Sequence, residues 1–460
     1  DFVFSFKGRY NLSNLHEACV DKYLRYGPIV REEFQWRKPV VHLYRPKDFE
    51  DVFRMQGKMP MRPISEFVKH YRLSNPDKYD SPGLANSVGE EWLRLKTLLM
   101  PVLLNDEKLN YLHGSVNDIC DDFTELLRSV RCRKTFVVND LQDVVYRLAL
   151  EAIYMMSLDC RLDCLKVDLR PDTPAFAMIY SVKLLFEAFQ ELYYGLPLWK
   201  FFKTPSYKKL DKAESIMYDA ASRRIEEAIE RIRHEDGEKR DRELSVLQTL
   251  IECKDISDKE IKASVIDFIS GGIFTVTNAF TFLLYHLSRN QDVQEKLYRE
   301  VSDIAKDSVI TKETLDKLRY LKACVKESFR LTPTIPTITR ILSEDIILSG
   351  YHIPAGTPLF CNFVVPSKLA ENYPEPERFL PDRWLTRDRC NSRFTMMPFG
   401  NGKRICIGRK FAEMEMYTAL AKLIYNFKLE STGQVVKCKQ AFIVVPSEPV
   451  SIIFKDRHNV

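Results

Sequence analysis

The residues with the most evident chemistry lie near the C-terminal end, in Phe399-Gly400-Asn401-Gly402-Lys403-Arg404-Ile405-Cys406-Ile407-Gly408, which leads directly into a helical pattern. A cysteine set in this way suits a thiolate metal ligand. Glycines let the backbone wrap closely round the sulfur without Cβ clashes. Backbone donors and nearby positive charge keep the sulfur deprotonated. The following helix offers its N-terminal amides and the positive end of its dipole. The competing reading is a glycine turn around an inert, buried cysteine, a common setting for this residue. A second candidate is Glu327-Ser328-Phe329-Arg330, in a run from Lys317 that reads as helical. An acid and a base three residues apart share a helix face and can pair. Alone, such a pair reads as a surface contact worth little. Its company downstream is Pro381-Asp382-Arg383-Trp384, followed by the cysteine loop.

That order and spacing resembles the cytochrome P450 family along nearly the whole chain: an E-x-x-R helix, a P-[ED]-R-[FW] meander and an F-G-x-G-x-R-x-C-x-G loop. The resemblance implies a haem-thiolate monooxygenase that binds haem b, with Cys406 as proximal iron ligand inside the loop bounded by Phe399 and Gly408. It implies that Glu327, Arg330 and Arg383 form a buried ion triad, where loss of one member strands a charge. The family's W-x-x-x-[RK] helix matches Trp92 and Lys96, which with Arg340 and Arg404 would meet the haem propionates. In the distal helix the family pattern [AG]-G-x-[DE]-T stands as Gly271-Gly272-Ile273-Phe274-Thr275. Thr275 keeps the catalytic hydroxyl, but Phe274 replaces the acid. Proton delivery must then run through water or from Asp267, about two helical turns away. Arg62, Phe268, Gly271, Phe274, Ile338 and Phe442 are the expected substrate contacts.

Tyr320-Leu321-Lys322-Ala323-Cys324-Val325-Lys326-Glu327 and Gly408-Arg409-Lys410-Phe411-Ala412-Glu413 resemble the mitochondrial class of the family. This implies a basic proximal patch of Lys322, Lys326, Arg409 and Lys410 facing an acidic ferredoxin; complementary charge speeds such docking. A P450 reductase is the alternative donor, and the endoplasmic reticulum the alternative to the matrix side of the mitochondrial inner membrane. Stretches such as Pro39 to Tyr44, Met61-Arg62-Pro63, Tyr71 to Asp77, Tyr193 to Lys200 and Leu348 to Tyr351 are similar to steroid-hydroxylating members of that class. They imply hydroxylation of a polyhydroxylated steroid side chain. Phe274 leaves open a haem-thiolate isomerase or dehydratase that needs no external oxygen; a haem protein that only binds ligands is the rival outside the enzymes.

The elements that must position these residues form a mainly α protein with a small β region, read as one domain over residues 1–460. Ala213 to Arg233 and Lys259 to Arg289 carry helical periodicity, and the second is apolar nearly all round from Val265 to Leu287, which demands burial on every side. Residues 60–89 read as a long irregular loop, and Val40 to Tyr44 as a strand before a helix start at Pro46. Prolines after Thr332 punctuate short extended runs, with a hairpin at Ile346 to Ile353. His234 to Glu243 reads as a solvated charge run. Leu192 to Phe202 could lie against a membrane, with Lys200, Lys203, Lys208 and Lys209 at headgroups, or could be core. A net charge of +5 on 69 basic and 64 acidic residues argues against nucleic-acid binding. Eleven cysteines without pairing rhythm read as reduced thiols. No run of about 20 apolar residues suggests a membrane span, and a sequence opening at Asp1 is silent on any leader.

Overall fold

A computed structural model describes residue 10 and residues 14–35, 38–103, 105–234, 245–305, 309–386 and 392–458. The N-terminal part runs α1 (Leu15–Tyr26), β1 (Ile29–Gln35), β2 (Lys38–Leu43), α2 (Pro46–Met55), α3 (Glu66–Leu73), α4 (Gly89–Leu103) and α5 (Asp106–Val130). After β3 (Val137–Val138) come α6 (Leu141–Leu158), α7 (Pro174–Tyr194), α8 (Pro205–His234), α9 (Val246–Glu252) and α10 (Asp258–Arg289). Then follow α11 (Gln291–Ala305), α12 (Lys312–Lys317), α13 (Arg319–Leu331), β4 (Ile338–Ile341), β5 (Ile346–Leu348), β6 (Tyr351–Ile353) and β7 (Pro358–Cys361). The last elements are α14 (Arg409–Asn426), β8 (Phe427–Ser431), β9 (Cys438–Gln440), β10 (Val444–Pro446) and β11 (Ile452–Asp456). Helices dominate and the β region is small.

The core is organised around α10. A capping box starts it, Ser257 and Glu260 exchanging side-chain and backbone hydrogen bonds. From Val265 to Ser288 it is buried along most of its length, enclosed by α6, α8, α13 and α14. By length and composition α10 could cross a membrane, contrary to the expectation that no run approaches that length. Yet 67% of its most apolar stretch is buried inside the protein, the setting of a core helix. The larger sheet has the order β1-β2-β7-β4. β1 and β4 lie antiparallel to their neighbours, and β2 pairs with β7 in parallel, Val41 opposite Leu359.

Three sequence expectations change in detail. The segment 60–89 is not one irregular loop: it contains α3, whose Phe67, Val68, Tyr71 and Arg72 recur at three- and four-residue steps and are buried. The prolines and serines around it mask that period. The helix expected from Ala213 begins at Pro205, a residue suited to the first helical turn because its missing N–H is not needed there. The run from Lys317 is two helices, α12 and α13, meeting at Leu318. The hairpin is β5–β6, with Leu348 opposite Tyr351. Beyond His234 the charge run falls outside the described residues.

One ionic contact ties the first helix to the large sheet. Glu32 on β1 accepts a 2.7 Å bond from buried Lys22 of α1, and His42 Nε2 of β2 lies 2.9 Å away. Burial raises the Glu32 carboxyl, but His42 and Lys22 outweigh it and hold the pKa at about 2 instead of 4.5. A depressed folded pKa means that the stabilisation is complete above the unfolded value and is lost as pH falls toward the folded one. Glu32→Gln is therefore expected to flatten the fall in melting temperature below about pH 5; an unchanged acid limb in thermal melts would refute this.

Candidate active site

Backbone hydrogen bonds set the cysteine loop: Gly400 N–H to Met397 O (3.0 Å), Ile405 N–H to Gly402 O (3.1 Å) and Cys406 N–H to Phe399 O (2.8 Å). Gly400 and Gly402 sit at φ +79° and +73°, where a side chain is strained, and a Cβ at Gly402 would collide with Gln56. The chain then enters α14, Ala412 N–H bonding Gly408 O at 2.9 Å. Phe399 stands edge-on to Phe329 of α13, ring centres 5.4 Å apart. Cys406 is accessible yet hemmed in by protein. Burial pushes its thiol pKa up, against the pull of the Gly408 amide, Arg409 and Arg62. An accessible but poorly hydrated sulfur faces an internal space, where a metal cation would take the proton's place.

Beside this loop the basic side chains gather. Arg404 donates to Pro60 O (2.8 Å) and Ser87 O (3.1 Å), and stacks 3.9 Å over Trp92 of α4. Its Nη1 is buried without a hydrogen-bond partner. Arg340 of β4, 2% exposed, is held by Gln56 Oε1 and by the carbonyls of Asn401 and Thr339. Lys96 lies 5.1 Å over the Trp92 ring and donates to Lys403 O. Burial, with Arg62 and Arg340 as neighbours, lowers the Arg404 pKa to about 9. Burial and Arg62 lower Arg340 to about 10. Burial, Lys403 and Arg404 lower Lys96 as well. No carboxylate forms an ion pair with Arg62, Lys96, Arg340 or Arg404 among the described residues. Desolvated cations that repel one another, one with an orphaned donor, fit a group that brings two carboxylates, as the haem propionates would. Gln56 was not legible as part of this site; nothing near it in sequence carries a signal.

On the other side, α10 opens where its neighbours are sealed. Gly271 is exposed, and Asp267, Ser270, Gly272, Phe274 and Thr275 are partly accessible, within a helix otherwise mostly buried. Apart from the adjoining backbone, no heavy atom comes within 4 Å of a Cβ built on Gly271 or Gly408, so a flat group has room at both walls. Thr275 Oγ1 donates to Gly271 O at 2.7 Å. Phe274 stacks on Phe186 of α7, centres 4.2 Å apart, and Phe186 in turn lies 6.1 Å from Phe442. The acid position is thus filled by one member of an aromatic wall. Asp267, the other expected proton source, is engaged: its Oδ1 accepts a 2.8 Å bond from Arg72. Ile338 lies against Gly400. Phe268 is 7% exposed and packed in the core. Arg62 donates to Ala85 O at 2.8 Å, and its charge lowers the pKa values of Arg404 and Arg340, which groups it with the cations.

The predicted triad is assembled. Glu327 accepts from Arg330 (2.8 and 3.0 Å), Arg383 (3.0 Å) and the Leu380 N–H (3.0 Å), and is fully buried. Trp384 Nε1 adds a 2.9 Å bond that the sequence reading had not assigned. Arg330 also caps the carbonyls of Ser367, Pro376 and Arg378, so one helix residue fixes the meander behind the cysteine loop. Of the basic patch, Lys322 pairs with Asp316 (3.2 Å), Arg409 with Glu413 (3.0 Å) and Lys410 with Asp106 (2.8 Å). Lys322 and Lys326 lie one turn apart on α13, and Lys322 reaches Tyr417 of α14.

Comparison with known proteins agrees with this geometry. The model of the cytochrome P450 family matches residues 2–454. Ecdysone 20-monooxygenase of Drosophila melanogaster is 34% identical over 98% of this chain and 84% of its own. Cytochrome P450 CYP12A2 of Musca domestica is 32% identical over 94% of this chain and 84% of its own. The mitochondrial cytochrome P450 302a1 of Drosophila melanogaster is 30% identical over 97% and 90%. The fold, the cysteine loop and these matches lead to one conclusion: the chain belongs to the cytochrome P450 family, and it is a monooxygenase that works with haem b.

Proposed function

We propose that this protein hydroxylates an ecdysteroid, converting ecdysone to 20-hydroxyecdysone with molecular oxygen and electrons from a ferredoxin. The observation that carries the substrate is the 34% identity to ecdysone 20-monooxygenase across 98% of the chain. Names of relatives such as the mitochondrial 302a1 support a mitochondrial enzyme; its donor would then be a ferredoxin and its place the matrix side of the inner membrane. The whole chain acts as one domain.

Bound haem, ligated by a thiolate, supplies oxygen activation, because the sulfur donates electron density to the iron. The chain's own residues do the rest. Cys406 is the ligand, framed by Phe399 and Gly408. Trp92, Lys96, Arg340 and Arg404 hold the propionates, and Arg62 joins them. Thr275 offers a hydroxyl at Oγ1 from which a proton can pass. With Phe274 in the acid's place, water must bring that proton. Gly271, Phe274, Phe442 and Ile338 wall the substrate, with Phe268 behind them, and their apolar surface excludes bulk water. Leu196 and Phe201, 79% and 84% exposed, support contact between the 192–202 segment and a membrane. Trp199 of the same segment is instead buried against Phe67, His70 and Tyr207, and Lys200, Lys203 and Lys209 are paired with Glu66, Asp211 and Glu191.

Lys322, Lys326, Arg409 and Lys410 form the donor face. Lys322→Glu with Lys326→Glu is expected to raise the ferredoxin KM about tenfold at low salt and leave kcat at saturation little changed. A KM insensitive to both charge reversal and ionic strength would exclude this face. The substrate reading is tested by incubating purified enzyme with ecdysone, ferredoxin, its reductase and NADPH. Formation of 20-hydroxyecdysone supports it; oxidation at another carbon would keep a related sterol hydroxylase instead. Conversion without reductant would favour the isomerase or dehydratase alternative.

A further inference from the structure

One buried cluster is used by none of the roles above. Arg72 of α3 donates from Nη1 to Asp267 Oδ1 of α10 (2.8 Å) and to Pro82 O (2.9 Å), and from Nη2 to Glu214 Oε1 of α8 (3.1 Å). Tyr79 donates to Glu214 Oε2 at 2.8 Å and lies 5.3 Å from the guanidinium. The side chains of Arg72 and Glu214 are each 2% exposed, and that of Asp267 is 8% exposed. Gly83, at φ +83°, lets the loop backbone close directly over the Arg72–Asp267 pair, where a Cβ would collide with both. Ionic groups this deep cost much to desolvate and are retained only with well-made contacts.

The position of Asp267 gives the cluster a second use. Asp267, Gly271 and Thr275 are four residues apart, so they share one face of α10, on which Gly271 is exposed and Asp267 and Thr275 are partly accessible. Eight residues of helix separate Asp267 from Thr275, about 12 Å, comparable with the length of a fused four-ring steroid nucleus. The cluster is also not satisfied by protein alone. Asp267 Oδ2 receives only a long 3.3 Å bond from the Ala85 N–H among the described residues, and Arg72 Nε is buried without a partner. A carboxylate oxygen with spare accepting capacity, on a side chain that keeps 8% of its surface exposed, is an acceptor for a ligand hydroxyl.

We propose that Asp267, held by Arg72 and backed by Glu214 and Tyr79, is a specificity subsite that accepts a hydroxyl from the ring end of a polyhydroxylated steroid whose side chain lies at Thr275. This rests on the steroid reading above and adds where the substrate's far end is recognised. A site built to bond a hydroxyl discriminates strongly against a ligand lacking it, because its acceptor is then left unpaired.

The test is a pair of spectral titrations of the haem-loaded enzyme, with ecdysone and with its counterpart lacking the hydroxyls of the first ring. Wild type is expected to bind ecdysone at least about tenfold more tightly. In Asp267→Asn that ratio should shrink toward one, with affinity for the deoxy steroid little changed. Circular dichroism and melting temperature report whether the variant is folded. A merely structural role would weaken both ligands alike and preserve the ratio, which would overturn the subsite. If Asp267→Asn does not fold, the wild-type ratio alone decides: equal affinities overturn the proposal. Absence of any response to either steroid would instead remove the substrate reading, and the subsite with it.

Discussion

Cys406→Ser is expected to abolish hydroxylation, lowering turnover by more than about 100-fold. The variant should still take up some haem, because the cations of Trp92's neighbourhood, Arg340 and Arg404 are untouched. Its reduced carbon monoxide band should leave the thiolate position. The effect is specific to one sulfur. Cys120 and Cys324 are buried, and burial pushes both thiols well above their ordinary range, so Cys120→Ser and Cys324→Ser should keep the wild-type spectrum. Retention of the thiolate band in Cys406→Ser would move the ligand elsewhere.

Glu327→Gln carries the second large effect, and it acts through the fold. One carboxylate accepts bonds from Arg330, Arg383, Trp384 and Leu380. The substitution leaves Arg330, fully closed to water, and Arg383, 13% exposed, without their shared counter-charge. Removing one member of a buried pair costs about 3–5 kcal/mol, a large share of the usual folding margin. Because Arg330 also binds three carbonyls of the 367–378 meander, the damage should spread to the cysteine loop. The expected outcome is little folded haem protein at 37 °C and a markedly lower melting temperature for what remains. A variant with wild-type haem content and melting temperature would show that the triad does not hold the site.

The parts of this molecule legible in sequence are those whose chemistry is local. The cysteine loop is set by glycines within six residues of the sulfur. Glu327 and Arg330 are one helical turn apart, and the all-round apolar character of Val265 to Leu287 admits only a buried helix. Phe274 was visible as a departure, although its stacking on Phe186 was not. What stayed hidden depends on distant partners. Arg72 meets Glu214 and Asp267 across 142 and 195 residues, and Gln56 meets Arg340 across 284. No periodicity encodes such pairs. Helix α3 escaped because it is eight residues long among prolines and serines, too short a window for its period to stand out. Asp267 illustrates the limit of spacing arguments. Its place on the Thr275 face suggested a proton source, and only the Arg72 contact shows that the carboxylate is already engaged.

The most direct test of the account is the reduced carbon monoxide difference spectrum of the purified wild-type protein. A Soret band at the thiolate-characteristic wavelength, followed by a low-to-high-spin shift when ecdysone is added, is the predicted result. A folded protein that takes up no haem, or whose band sits where nitrogen-ligated haem absorbs, would contradict it.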